Sequence, residues 1–511
     1  MPSGKEAEQP QQPWPALGDM PAEDFRAALH HVADWVADYR RDIEALKISQ
    51  GMLPGEIAAR LQQTPPDDPA SLEDIFLDFQ EIIMPGLVHW GHPSFLGYFG
   101  STTTAPGILG EMLMAALNVS AMTWRTSPAA TELETLVLDW IRQMLGLSMH
   151  FTGVVYDTAS VAVLHALAAA REGLGLDARK RGLSGRAEIP ALRVYASDQA
   201  HSSIEKAAIT LGLGEENVRR VPSDAEYRME TAALSSAVEE DLRKDLLPMA
   251  VVATVGTTST TSVDPLEEIS AICREHHLWL HVDAAYGGAM ALLPEGRHLM
   301  NGTEAADSIV VNPHKWLFVP LDFSALYVRR PELLRATFSL VPEYLRGDAE
   351  QGERNYMDYG IQLGRRFRAL KAWMVIRSLG SLGIASRIRE HCRLARLFAS
   401  WIDSDSQFEV LAPVTMAVVC FRFNPVEMKA CESDEELNEL NRQLVEVVNR
   451  TGEAYLTHTL LKGRVCVRLA VGNVLTTARH LSRVLDVIRR EAMELSGSTL
   501  VRDSCKRSAG L

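Results

Sequence analysis

Between about residues 107 and 341, short β-branched apolar runs alternate with stretches of helical periodicity. This alternation constrains the fold more than any other feature of the chain. Residues 192–196, 249–255, 278–282, 308–311 and 324–328 read as strands, each short, apolar and bounded by turn residues. A helical stretch over 132–144 precedes them. Asp264-Pro265 is expected to cap a helix running to about His276, with proline at its favoured first position. Strands alternating with helices imply an α/β fold with a mostly parallel sheet, because parallel neighbours need crossover connections. Ligands of such sheets sit in loops beyond the carboxyl ends of the strands, so chemistry is sought just after these runs.

The flanks differ. Residues 1–18 form a polar, Pro/Gln-rich leader without the apolar stretch of a signal peptide. Over 19–106, Phe25, Leu29, Val32, Trp35, Val36, Tyr39 and Ile43 recur at helical spacing, and a second helix is expected over 71–84. Two such helices make no core alone and call for a partner, a second copy of the chain being one candidate. The large α/β unit is expected over 107–390, with a long helical region from Gly364 to about Trp401. A small α+β unit over 391–496 reads as strand 415–423, helix 437–451, strand 465–471 and helix 477–495, followed by a tail, 497–511.

At 511 residues the chain is too long for one compact core. Its net charge of −15 excludes broad attraction to nucleic acid or anionic lipid, so any phosphate must be held by a local cup. No apolar run reaches the ~18 residues that suggest a membrane span. Six scattered cysteines without a CxxC pair favour reduced thiols, no metal site and a cytoplasmic setting.

Asn312-Pro313-His314-Lys315-Trp316 directly follows one strand candidate, where a lysine projects into the ligand-bearing loops. Taken alone, such a lysine is a surface residue with an apolar stem. Upstream, His281-Val282-Asp283-Ala284-Ala285-Tyr286 ends another strand, and alternation puts Asp283 and Ala285 on one side. By itself Asp283 reads better as a helix cap or a metal ligand. A pyridine cofactor needs a carboxylate to keep its ring nitrogen protonated and a small residue against which the ring lies flat. The protonated ring is the electron sink for a carbanion left by departing carbon dioxide. With Lys315 following about one strand–helix–strand unit later, the cofactor reading takes precedence.

At these residues the sequence resembles the group II pyridoxal-phosphate decarboxylases, specifically the aromatic-L-amino-acid decarboxylases, over about 24–491. The resemblance is carried by 127–134 (SPAATELE), 197–203 (SDQAHSS), the aspartate segment, 312–316 and 363–368 (LGRRFR), in order and at family-like spacing. It implies a fold-type I enzyme with pyridoxal 5′-phosphate, a small-molecule amino-acid substrate, no metal, and a homodimer with active sites at the subunit interface. It assigns Lys315 as the cofactor-bearing lysine, Asp283 as partner of the ring nitrogen, His201 as the stacked imidazole and Ala285 as the opposite face. Thr258 matches a hydroxyl near the cofactor's phenolic oxygen, and Asp264 the acidic residue after that strand. Without the resemblance, His201 reads as an ordinary histidine in a polar loop.

The implied phosphate cup is Thr158-Ala159-Ser160 at a helix start, helped by Asn312 and His314. Thr158 also suits an ordinary helix N-cap. The chain departs from the family here: Asp157 stands where glycine is usual, Val161 for glutamate and Val163 for threonine. A carboxylate beside a phosphate is unfavourable unless it turns away or caps something else. Leu363 and Gly364 match residues that reach the neighbouring subunit's phosphate. Trp90, Tyr98, Phe99 and Ser101 fall in the segment resembling the substrate lining, where Phe95 reads as core. Tyr344, in a polar loop over 342–354, matches the tyrosine that returns a proton to the substrate carbon. Related aldehyde synthases typically carry phenylalanine there, so the hydroxyl implies an amine product. The implied activity is decarboxylation of phenylalanine, tyrosine, DOPA, tryptophan or 5-hydroxytryptophan. A non-aromatic substrate, oxidative deamination and a non-catalytic role stay open.

Overall fold

The five central apolar runs form strands as expected, and they pair with two more into one seven-stranded sheet. The strands are β1 (Thr152–Tyr156), β2 (Leu192–Ser197), β3 (Val218–Val221), β4 (Leu247–Thr254), β5 (Trp279–Asp283), β6 (Ser308–Val311) and β7 (Ser324–Val328). Their order is β1-β7-β6-β5-β4-β2-β3. Neighbours from β6 through β5, β4 and β2 to β3 are parallel, while β7 runs antiparallel to both β6 and β1. Every residue of β5, β6 and β7 is buried, which is why these strands read as continuous apolar runs rather than alternating ones. The pattern gave no signal for β1, which is short and has Gly153 as its second residue, or for β3, half of which is arginine.

The computed structural model describes residues 18–100, 103–340, 353–425 and 434–497. Ser101 and Tyr344 lie outside the described residues, as do the leader up to residue 17 and the tail from 498. The chain divides into two compact units, Met1–His92 and Pro93–Leu511. In the first, the helix Ala22–Asp42 has no buried residue, as expected of a helix whose apolar stripe lacks a core of its own. The second helix, Leu72–Asp78, is capped by the Ser71 hydroxyl and continues through a π-turn over Phe79–Ile83. Trp35 stacks on Tyr39 at 5.3 Å and meets the edge of Phe79 at 5.1 Å.

In the second unit, β8 (Phe408–Val410), β9 (Val418–Phe423), β10 (Thr457–Leu461) and β11 (Arg464–Ala470) form an antiparallel sheet in the order β10-β11-β9-β8. The helices Asp434–Thr451 and Ala478–Gly497 accompany it. The helix Ala369–Asp403 starts later than the expected Gly364 and breaks at Gly380, where φ is +65°. Its expected first turn is instead an irregular arm. Arg365 and Arg368 leave it to bond Glu134 and Asp322 respectively.

Asp264 is not the expected helix cap. The helix Leu266–Glu275 begins after Pro265 with no side-chain cap. Asp264 instead accepts the backbone N–H groups of Met229 and Thr254, both at 2.8 Å, and burial raises its carboxyl to about 6. A carboxylate occupied by two distant amides is unavailable to its own helix.

One ion pair ties the arm to the large sheet. Arg365 and Glu134 are 6% and 2% exposed and bond in a two-pronged geometry at 2.6 and 3.0 Å. Glu134 also accepts the Val155 N–H, while Arg365 donates to the carbonyls of Val155 and Ala121. Removing one partner strands a buried charge. Arg365→Met should therefore lower the unfolding free energy by about 3–5 kcal/mol, and adding Glu134→Gln should restore part of it. Chemical denaturation of both variants checks this.

Candidate active site

Five loops converge at the carboxyl edge of the large sheet. β1 leads into Asp157 and the helix Ala159–Gly173; β2 into His201; β4 into Gly256 and Thr258; β5 ends on Asp283; β6 leads into Asn312 and Lys315. They line a cavity of about 190 Å³ bounded by Phe99, Thr158, Ala159, Ser160, His201, Thr254, Gly256, Thr258, Asp283, Ala285, Tyr286, Asn312, His314 and Lys315. Eleven of these are residues singled out in the sequence. A larger cleft of about 440 Å³ beside Asp264 and His298 has no lysine in its lining.

The polar groups are held in defined states. The Ser203 N–H donates to His201 Nδ1 at 3.1 Å and the Phe323 N–H to His314 Nδ1 at 2.9 Å. Each ring therefore carries its proton on Nε2 when neutral. Burial lowers the pKa of His201, opposed by Asp283 and assisted by Lys315. Burial, aided by Lys315, takes His314 down to about 4, so it is neutral near pH 7. Asn312 Oδ1 accepts the Ser324 hydroxyl at 2.7 Å, which leaves its NH₂ group as the remaining donor. Asp283 Oδ1 accepts the Ala285 N–H at 3.0 Å. Burial lowers the Lys315 pKa; Asp283 raises it in part and Arg468 lowers it further.

Phe99 forms one wall. Its ring stacks on Tyr286 at 3.9 Å, and Tyr286 stacks on Trp316 at 4.4 Å. Lys315 Nζ lies 5.1 Å from the Phe99 centroid, and the Arg468 guanidinium 4.6 Å from it. Arg468, from β11, donates to the backbone carbonyls of Tyr98, Thr258 and Ser259. It thereby staples the Phe99 segment to the turn after β4.

Of the other singled-out residues, Tyr98 is half exposed and its ring tilts against Tyr455 at 6.4 Å rather than lining the cavity. Leu363 and Gly364 are exposed and outside the lining. Trp90 belongs to the first unit. Phe95 is buried and stacks on Tyr455 at 5.0 Å. Sequence reasoning missed Thr254, Gly256, Tyr286 and Arg468. Thr254 pairs directly with Asp283 across β4 and β5, a register that no local pattern reveals. Gly256 turns the chain at φ +87°, with Gly287 backbone atoms 3.1 Å from where a Cβ would sit.

These residues fit pyridoxal phosphate. The cavity offers an amine, a carboxylate and a helix N-terminus. It also holds two unanswered groups: the Thr254 and Tyr286 hydroxyls are buried with no hydrogen-bond partner among the described residues. Such an orphan asks for a ligand.

Residues 54–424 match the model of the pyridoxal-dependent decarboxylase conserved domain. The chain is 41% identical over 491 residues to tryptophan decarboxylase 2 of Oryza sativa subsp. japonica, spanning 94% of this chain and 97% of that protein. It is 38% identical over 486 residues to phenylacetaldehyde synthase of a Rosa hybrid cultivar, spanning 93% and 94%. The crystal structure of Oryza sativa TDC with PLP and tryptamine superposes with a TM-score of 0.89 at 36% identity, covering 94% of this chain and all of that one. The architecture is thus the fold-type I arrangement expected from the sequence.

Thr254→Val removes one orphan hydroxyl without changing the side chain's shape. The melting temperature of the cofactor-free protein should stay level or rise, while affinity for pyridoxal phosphate falls by about fivefold. Calorimetry and absorbance titration measure the two separately.

Proposed function

The chain belongs to the pyridoxal-dependent decarboxylase family, and from that premise we propose that it converts an aromatic L-amino acid into its amine and carbon dioxide. The observation that carries this is the convergence of Lys315, Asp283, His201 and the helix start at Thr158 on one cavity. Relatives named for tryptophan decarboxylation and phenylacetaldehyde synthesis support an aromatic side chain, as does the Phe99–Tyr286 wall.

When bound, the cofactor supplies a protonated ring that accepts the electron pair left on the substrate carbon. Lys315 anchors it through an amine whose lowered pKa favours the uncharged, nucleophilic form. Asp283 would keep the ring nitrogen protonated, and Ala285 and His201 would hold the ring. Thr158, Ala159, Ser160, Asn312 and His314 would hold the phosphate, and Thr258 would serve the phenolic oxygen. Phe99 belongs to the substrate side. Tyr344 returns a proton to the substrate carbon, and its hydroxyl favours amine over aldehyde.

The active form is a homodimer in which Leu363 and Gly364 reach the partner's phosphate. Its support is apolar surface. On the helix Ala105–Leu117, Leu109, Leu113 and Leu117 are each about half exposed on one face, and Ile361 is 65% exposed. Among the described residues, no helix is long and apolar enough to cross a membrane. The described cysteines are free thiols, which supports a cytoplasmic setting.

Lys315→Ala should lose both the yellow colour of bound cofactor and turnover; retained turnover would refute the assignment. Turnover on phenylalanine, tyrosine, DOPA, tryptophan and 5-hydroxytryptophan, with carbon dioxide, amine and peroxide measured together, separates decarboxylation from oxidative deamination. Tyr344→Phe should shift the product toward aldehyde, ammonia and peroxide. Leu109→Glu with Leu113→Glu should yield a folded monomer with little activity by light scattering and assay. A dimer of undiminished activity would remove that helix from the interface.

A further inference from the structure

Asp157 joins β1 to the helix Ala159–Gly173, whose first residues form part of the cavity wall. A helix start offers free N–H groups and a positive partial charge, and any anion near it draws on both. Asp157 already does so. Its Oδ1 accepts the Thr158 N–H at 2.6 Å and the Thr158 hydroxyl at 3.3 Å. Its Oδ2 accepts the Gln362 side-chain amide at 3.3 Å. Both partners are neutral, so the carboxylate brings its negative charge to the rim of the cup without an ion-pair partner among the described residues.

Gln362 is held within reach by its neighbours. The Tyr156 hydroxyl donates to the Tyr359 carbonyl, and the Ile361 N–H donates to His165 Nε2 at 3.1 Å. Burial takes His165 down to about 4, so it stays a neutral acceptor near pH 7. The segment around Gln362 is therefore fastened to the same strand and helix that carry Asp157. The carboxylate thus keeps a second partner on the oxygen that does not bond Thr158.

We propose that Asp157 is a built-in competitor for the cofactor's phosphate: the two anions contend for the N–H and hydroxyl of Thr158. This rests on the reading that the cavity takes pyridoxal phosphate. For the phosphate to use Thr158, Asp157 releases it and retains Gln362, remaining a like charge beside a dianion. Asp157 thus weakens phosphate binding specifically and leaves the ring contacts unaffected. The holoenzyme exchanges its cofactor more readily than the same cup would with a neutral residue at this position.

The test measures affinity, not turnover. Full-length protein stripped of cofactor is titrated by absorbance with pyridoxal phosphate and, separately, with pyridoxal, which lacks the phosphate. Asp157→Asn keeps the side chain's size and its capacity to accept a hydrogen bond while removing the charge. It should bind the phosphate ester about tenfold more tightly and pyridoxal unchanged. Gln362→Leu, which removes the alternative partner, should weaken binding of the ester alone. Equal affinity for the ester in wild type and Asp157→Asn overturns the proposal, as does a gain shared by pyridoxal. If neither compound gives a yellow species with wild type or variants, the cofactor reading itself falls, a distinct result.

Discussion

The pair between Glu134 and Arg365 is almost sealed from solvent, and two charges that dry persist only when their remaining hydrogen-bonding capacity is filled. Here it is filled by backbone: the Val155 N–H to the carboxylate, and the carbonyls of Val155 and Ala121 to the guanidinium. The pair thereby joins the helix Pro128–Met144, the edge strand β1 and the arm before the long helix. β1 runs straight into Asp157 and the helix start lining the cavity, and the arm carries Leu363 and Gly364. One buried ion pair thus sets the position of both segments relative to the sheet.

Within the cavity, desolvation is the common cause behind the ionisation states. It lowers the pKa of Lys315, His201 and His314 together; the Lys315 charge lowers both imidazoles further, and Asp283 opposes the shift at Lys315 and His201. The two imidazoles also receive backbone N–H groups at Nδ1, so each presents Nε2–H as a neutral donor. The aromatic stack of Phe99, Tyr286 and Trp316 supplies the apolar side, with Arg468 beneath Phe99 bonded to three carbonyls. Arg468 thus carries the small sheet to the site, shaping the wall and also bearing on Lys315.

Much of this was legible beforehand, and the exceptions share a cause. Strands β2, β4, β5, β6 and β7 announce themselves because burial on both faces selects unbroken apolar runs. β1 and β3 do not, since Gly153 near the start of one and a pair of arginines in the other blur the signal. Lys315, Asp283 and Ala285 were accessible because each directly follows or ends such a run, at strand alternation. Thr254 escaped because its meaning comes from standing opposite Asp283 in the neighbouring strand. Arg468 escaped because it arrives from another sheet near the far end of the chain.

The two aspartates show most plainly where local reading stops. Asp264 has the sequence signature of a helix cap, and Asp157 that of a misplaced charge in a phosphate cup. Asp264 was claimed instead by two amides from distant segments, and Asp157 by Thr158 and Gln362. By itself the sequence determined the succession of strands and helices and the placing of Lys315 and Asp283 at strand ends, because apolar periodicity and turn chemistry act over a few residues. Only the tertiary structure decided strand register, the partner of each buried polar group and the ionisation states around Lys315. Those depend on which non-local donors and charges packing leaves within hydrogen-bonding reach, and on how far it excludes water from them.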